Sequence, residues 1–468
     1  MKKTTLFSLA LAAGLAILPS LVDAQSKVTL TTTKAVGSEF CFATNPGKIT
    51  VDWGDGKAVE LSSTGEPIKG ELKGQAVTIS SNYLWFLDCS SNDLTGLTID
   101  DGSNMKTLFC SNNNLVGLPM NSLASLETLD CSSNKIGFMT LTSLKNLRSL
   151  NCADNELTSL NLTGLSKLNT LICSGNSLGT LNVSAATGLQ TLWCQNNSLK
   201  TLNLTSNSKL ESVVCDDNQL SSVNVSTCTG IVDFWCDNNQ LTTLNVSKSL
   251  GLQTLSCSNN QLTTLNIPAA SVGSKTKAFY CDGNNLTFSS MHSIDNIEND
   301  VNMLYSPQNN FSLPVNKIKV GERLTLDGFS SNADGDNVSP DYVWKNGETE
   351  LVSGNSGDYT GRSNFFIFNK PFESIRCEVT SYSYPGLTLT SEPLTVFDES
   401  TGIQDIMDAY GFSYITNSGT ITMKSDKPYR VQIYTSDGKL VWTGTVVNEE
   451  RVNLGHGLFL VNGVKISL

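Results

Sequence analysis

Between residues 84 and 291, apolar side chains return with a fixed period of 21 residues. Cysteines mark it at 89, 110, 131, 152, 173, 194, 215, 236 and 257. Cys281 follows after 24 residues, which places a three-residue insertion around 271–274. Three residues after each of the ten cysteines stands an asparagine, from Asn92 and Asn113 to Asn260 and Asn284. An apolar residue such as Leu108, Val213 or Phe279 stands two before, and Leu or Ile stands five after. The unit reads L-x-x-L-x-C-x-x-N-x-L-x-x-L-x-(apolar). Its alternation predicts a short strand with positions 4 and 6 turned inward and positions 3, 5 and 7 outward. One unit cannot cover its own apolar face. The units are therefore predicted to stack as parallel rungs about 4.8 Å apart, ten of them giving a curved solenoid on the order of 45–50 Å long.

This is the leucine-rich-repeat pattern with cysteine at one core position. Each asparagine is expected to turn inward and pair with backbone groups left open after the strand. The cysteines lie along a line, whereas zinc needs four ligands converging on a point. Parallel in-register side chains also do not face each other as disulfide geometry requires. A ladder of reduced, buried thiols is expected, each acting as a small hydrophobe. Cys41, Cys228 and Cys377 lie off the ladder, and the sequence leaves their state open.

The flanks change the period. Residues 1–24 carry Lys2 and Lys3, an apolar run and a small-residue end, as in a secretory signal peptide cleaved between Ala24 and Gln25. Residues 25–83 alternate at 28–33, 49–53 and 76–80 and read as a β cap for the repeats at 84–304, with a short helix near 293–304 closing the far end. In the cap, Asp52 and Asp55 of the run VDWGDG read as turn residues; two carboxylates are too few for a closed calcium site. Residues 305–397 show strands at 320–327, 341–345, 364–368, 375–381 and 388–397. Trp344 and Cys377 stand where an Ig-like sandwich has its core tryptophan and second cysteine. Leu324 or Leu326 replaces the first cysteine, so no disulfide is expected there. The loop at 332–336 has a weak calcium-like spacing, and a solvated loop is the simpler reading. A polar linker at 398–412 leads to a β segment at 413–468, with strands at 419–423, 429–434, 440–442, 457–461 and 464–468.

Charge narrows the function. The net charge is −12, which opposes binding of nucleic acid or anionic membrane through a general electrostatic term. Only two histidines, His292 and His456, are present, and H-E-x-x-H does not occur. An enzyme is disfavoured, and no cofactor or metal is expected. No run after the first 24 residues is long and apolar enough for a transmembrane span.

The cysteine-bearing repeats resemble those of internalin J and related bacterial surface proteins. The arrangement of VDWGDG cap, repeats, YSPQ at 305–308 and Ig-like strands is similar to exported leucine-rich proteins of the Bacteroidetes. The C-terminal segment resembles the sorting domain of type IX secretion cargo, through residues 433–438 with Gly438, through Gly457, Phe459 and Val461, and through Lys465. Phe459 stands where that family has tyrosine, and the first part of the domain matches poorly. The resemblance implies recognition by the type IX secretion machinery, removal of this domain and attachment of the remainder to the outer-membrane surface. The fold expected is mainly β: a leucine-rich-repeat solenoid, an Ig-like β-sandwich and a small β-sandwich sorting domain.

Position 5 of the repeat is where function is expected. It reads Asp88, Phe109, Asp130, Asn151, Ile172, Trp193, Val214, Trp235, Ser256 and Tyr280, so four consecutive rungs from Ile172 to Trp235 are apolar. Position 7 adds Gln195, Asp216, Asp237 and Asp282, and position 8 adds Asp217. Aromatics flanked by carboxylates suit a contact surface for a host or bacterial surface protein, a glycan or a second copy of the chain. Neighbouring aromatics that merely stabilise the sheet remain an alternative. So does a passive surface spacer without a specific ligand.

Overall fold

The structure, a computed structural model, describes residues 26–268, 277–291, 302–329, 340–398, 411–417, 419–462 and 464–467. Ala24 and Gln25, the insertion at 271–274, the loop at 332–336 and most of the linker at 398–412 lie outside the described residues. The chain divides into two compact units, Met1–Cys281 with Asn296–Leu304, and Asp282–Asp295 with Tyr305–Leu468. One break between the units falls at 304/305, and 282–295 groups with the second unit.

In the first unit each repeat contributes one three-residue strand to the main sheet, from Phe86–Asp88 and Thr107–Phe109 to Thr254–Ser256 and Ala278–Tyr280. Neighbours pair in parallel, each residue opposite its counterpart: Leu87 faces Leu108, Leu171 faces Leu192 and Phe234 faces Leu255. The register survives the insertion, since Leu255 faces Phe279. The short helix expected near 293–304 is corrected at its described end. Asn302–Leu304 is a further parallel strand, and the Cys281 N–H donates to the Leu304 carbonyl at 2.8 Å. An open sheet edge needs backbone partners along its length, which extended chain supplies and a helix does not.

The N-terminal end is closed differently. Glu39–Thr44 pairs antiparallel with Phe86–Asp88, and Ile68–Glu71 continues the sheet to 13 strands among the described residues. A second sheet runs Val59–Ser63, Gly47–Asp52, Ala76–Ser81, Ser26–Thr32, Leu94–Ile99. Its last strand is the back of the first repeat, so cap and solenoid share main-chain hydrogen bonds. The VDWGDG run is a turn. Asp52 Oδ1 accepts the N–H groups of Gly54 and Gly56 at 2.9 and 3.1 Å, and Asp55 Oδ1 accepts that of Lys57 at 3.1 Å. Gly54 has φ 109 and lies so close to Gly74 that a Cβ would sit 2.5 Å from its nitrogen. No larger residue fits that conformation and that gap.

The asparagines bind the rungs together. Asn134 Nδ2 donates to the carbonyls of Cys131 in its own rung and Cys110 in the rung before, each at 3.0 Å, while its Oδ1 accepts the Leu115 N–H at 2.9 Å. Asn113, Asn155, Asn176, Asn197, Asn218, Asn239 and Asn260 repeat this on both flanking cysteine carbonyls. Asn92, with no earlier repeat, donates to Cys41 O at 2.6 Å and accepts Cys41 N–H at 3.3 Å. Cys41, off the ladder in sequence, thus marks where the cap strand stands in for a missing rung. The residue before each asparagine is left-handed, with φ 53 at Ser133 and Asp154 and φ 63 at Gly175. That turn explains why Ser, Asn, Asp and Gly fill the position.

In the second unit the Ig-like segment has one sheet of Lys317–Lys319, Leu394–Phe397, Phe372–Thr380, Asp341–Asn346 and Thr349–Glu350, with Thr388–Thr390 also on Phe372–Thr380. A second sheet holds Arg323–Thr325, Phe365–Phe368 and Tyr359–Arg362. The single strand expected at 388–397 is two, separated at Pro393, which lacks the N–H to continue a ladder. Trp344 is fully buried, edge-on to Phe366 and Phe368 and paired in register with Cys377, which is a free thiol.

The C-terminal segment is a five-stranded sheet built on the hairpin Thr420–Thr435 and Leu440–Asn453. The strands expected at 419–423 and 429–434 are one, bent at the register shift between Ser425 and Tyr429 where Pro428 lies. Ile421 and Met423 before the bend share a core with Val431, Ile433, Phe459 and Val461 after it.

Replacing Asn134 with alanine strands the buried Leu115 N–H and leaves the Cys110 and Cys131 carbonyls one asparagine donor each, from Asn113 and Asn155. The expected loss is about 2 kcal/mol, within the range typical of one orphaned buried group. Asn161→Ala removes only an exposed contact to the Thr163 N–H and is expected to fall within about 0.5 kcal/mol of wild type. Urea melts of the two variants check the difference; equal midpoints would remove the ladder from the account.

Candidate functional site

The outer face of the 13-stranded sheet carries the variable positions. Because the strands are in register, position 5 forms one straight row: Ile172 beside Trp193, Trp193 beside Val214, Val214 beside Trp235, Trp235 beside Ser256, and Ser256 beside Tyr280. Phe109 lies apart. Asp130 and Asn151 separate it from Ile172, and its ring meets Phe86 edge-on at 5.8 Å. The row is less open than the sequence suggests: Trp193, Val214, Trp235 and Tyr280 are half-buried, Ile172 is 9% exposed and Ser256 is 3% exposed. Trp193 Nε1 donates to Ser212 Oγ at 3.3 Å, and Tyr280 Oη accepts from Asn302 Nδ2 at 2.7 Å. Both rings are thereby held in place.

Trp193, Trp235 and Tyr280 stand on every second rung, with the smaller Val214 and Ser256 between. Two rungs are about 9.6 Å, beyond the roughly 4.5–7 Å at which aromatic pairs attract. Mutual stacking of neighbours therefore does not account for these three rings.

The flanking carboxylates are drawn into the sheet edge. Asp216 Oδ1 accepts the Asp237 N–H at 3.1 Å, and Asp237 accepts the Ser256 hydroxyl and the Ser258 N–H, both at 2.7 Å. Asp217 Oδ1 accepts from Asn238 Nδ2 at 2.8 Å. Nothing in a single unit signals this register-dependent chain; only the side-by-side pairing of rungs makes it.

The ladder thiols offer no nucleophile. The cysteines stand as thiols, and every one from Cys89 to Cys281 is fully buried. Burial holds the Cys110, Cys173 and Cys236 thiols far above their ordinary range, and raises Cys152 and Cys194 to about 12. The Sγ atoms of Cys89 and Cys215 point at the next rung's carbonyls at 3.5 and 3.4 Å. Among the described residues, no three His, Cys, Asp or Glu side chains gather to hold a metal ion.

Of the C-terminal positions, Phe459 and Val461 point into the core and Gly438 sits at φ 88 in the turn after Thr435. Gly457 lies beneath the Phe459 ring, and the Lys465 backbone pairs with Leu460.

No protein-family model matches the chain, and no curated protein matches it. Among solved structures it is similar to the functional domain of InlJ from Listeria monocytogenes, described as including a cysteine ladder. The identity there is 19%, covering 68% of this chain and 93% of that one, with a TM-score of 0.27. An internalin, InlF, from the same species is 20% identical over 48% of this chain and 81% of that one, TM-score 0.37. The leucine-rich ectodomain of the plant receptor kinase GASSHO1/SCHENGEN3 from Arabidopsis thaliana is 26% identical over 51% and 34%, TM-score 0.39. With scores this low, the repeat architecture stands on its own rung register.

The thiols generate a prediction. A thiol whose pKa is raised on folding stabilises the fold below its unfolded pKa of about 8.5 and loses that contribution as pH climbs toward the folded value. Stability is expected to hold from pH 6 to 8 and fall steeply above pH 9, as unfolding releases protons from many cysteines at once. In the native protein at pH 8, iodoacetamide is expected to label Cys41, which is partly exposed, and to spare the ladder. Mass spectrometry after limited exposure reads the pattern; native labelling of Cys173, or linked peptides from adjacent rungs, would refute it.

Proposed function

We propose that the protein is an exported binding protein displayed at the cell surface, with the outer face of the repeat sheet as its contact surface. The observation that carries this is the row from Ile172 to Tyr280: aromatic and aliphatic side chains on an outward position, pinned by hydrogen bonds and bordered by aspartates. A rigid sheet presents such a row already ordered, so binding loses little conformational entropy. Aromatic anchors beside a polar border are the usual makings of a contact hot spot. The reading is not catalytic. The buried thiols are held protonated, and the Ser256 hydroxyl that meets the Asp237 carboxylate is itself buried in the sheet.

Display rests on the N-terminal signal pattern and on the likeness of residues 413–468 to a type IX sorting domain. Adhesion or biofilm formation is the activity this arrangement serves, with a surface protein, a glycan or a second copy as partner. Among the described residues no helix is long and apolar enough to cross a membrane.

Two experiments test the reading. Trp193→Ala combined with Trp235→Ala is expected to abolish adhesion while the melting temperature falls by only a few degrees, since both rings are half-buried; intact adhesion would move the binding site elsewhere. Deleting residues 413–468 is expected to leave the protein in the periplasm, and cell fractionation that finds it at the surface in normal amount would end the sorting proposal.

A further inference from the structure

Resting on that reading of the sheet face, we infer the chemical class of its ligand: the row holding Trp193, Trp235 and Tyr280 is a platform for an extended β-1,4-linked amino-sugar polymer lying along the solenoid axis. Periodicity is the first argument. The three rings repeat every second rung, about 9.6 Å apart, and span about 19 Å from Trp193 to Tyr280. An extended β-1,4-linked pyranose chain turns each ring over relative to the last and so repeats after two sugars, a length close to two rungs. Every second sugar then presents the same apolar face to an aromatic ring. Val214 and Ser256 between the rings leave room for the alternate sugars.

Rigidity is the second argument. Ser212 holds the Trp193 indole and Asn302 holds the Tyr280 hydroxyl, so the spacing is set before a ligand arrives. An irregular protein surface would gain nothing from a strict two-rung repeat, whereas a polymer with a two-unit repeat matches it at each ring.

Charge selects among polymers. The outward positions 3, 5 and 7 on the strands from Thr191 to Ser258 hold three aspartates, Asp216, Asp233 and Asp237, and no lysine or arginine. Asp216 and Asp237 are fixed beside the row by the Asp237 N–H and by Ser256 and Ser258. A border of this sign repels uronic-acid or sulfated chains and attracts the ammonium groups of glucosamine units, which also interact favourably with indole faces. The complementary ligand is therefore a glucosamine polymer, free or partly N-acetylated.

Calorimetric titration of the full chain tests this with glucosamine oligomers of two, three and six units, an N-acetylglucosamine hexamer, a cellulose hexamer and an alginate hexamer. The glucosamine hexamer is expected to bind, and the dimer to bind at least about tenfold more weakly because it reaches one ring. The alginate hexamer is expected not to bind. Trp235→Ala is expected to weaken hexamer binding about tenfold, whereas Trp235→Tyr, which keeps a stacking face, stays within about threefold. A melting curve of each variant confirms that it is folded. Equal affinity for dimer and hexamer, unchanged affinity in folded Trp235→Ala, binding of the alginate hexamer, or no binding of the glucosamine hexamer would overturn the proposal. If no oligomer binds while Trp193→Ala with Trp235→Ala still abolishes adhesion, the sugar assignment falls and the face stands as a protein-binding surface. If adhesion also survives that double variant, the face itself is wrong.

Discussion

The asparagine amide at position 9 is the interaction on which the solenoid depends. A strand of three residues followed at once by a turn leaves main-chain groups pointing into the coil, and no water reaches them there. One planar amide offers an acceptor and two donor hydrogens, and in this protein it reaches the cysteine carbonyls of two successive rungs and an N–H of the earlier one. Each asparagine thus closes its own turn and fastens it to the previous one. Removing an amide loosens the turn and the link together, and the N–H it leaves unpaired costs more than an average hydrogen bond contributes. The left-handed residue just before it is the second half of the same device, since it turns the chain so that the amide can face inward.

The same narrow interior accounts for the cysteines. Position 6 lies directly before that turn, between the rung leucines and the asparagine amides, and a side chain there has to be small and tolerant of polar neighbours. A thiol is both, and it can lean weakly on the next rung's carbonyl. The consequence is chemical as well as structural. Thiols so placed stay protonated across the physiological range, so a chain with thirteen cysteines carries almost none that can react.

Much of this was legible in the sequence because a solenoid writes its own period. The register of ten strands, the inward asparagines and the free thiols all follow from a 21-residue repeat and the alternation within it. What was not legible depends on pairing between distant segments. Nothing near Cys41 marks it as the partner of Asn92, since the link is made by an antiparallel cap strand 51 residues away. The end of the solenoid read as helix because residues 286–304 lose the apolar period, yet the need of the last sheet edge for hydrogen-bond partners makes Asn302–Leu304 a strand. In the C-terminal segment a proline split one long strand into two apparent ones. The stripe at position 5 was legible too, but its partial burial and its tethers to Ser212 and Asn302 were not, because they arise across rungs rather than within one.

Repetition also indicates where function can reside. Inward positions are held to a few residue types by packing, so the ten units differ little there. Outward positions are free, and the two sides of the coil use that freedom differently. On the back, Thr201, Ser222, Thr243 and Thr264 stand in one exposed row, and Asn203, Asn224, Asn245 and Asn266 in another, nearly without variation. A surface that repeats so uniformly distinguishes no one rung from the next. On the strand side, position 5 runs from aspartate through phenylalanine and asparagine to an alternation of large rings and small residues over the last five rungs. Packing does not demand that alternation, because the rings are too far apart to touch. It is the departure from the repeat, on a face whose backbone the repeat holds rigid, that makes the strand side the place to look for a ligand.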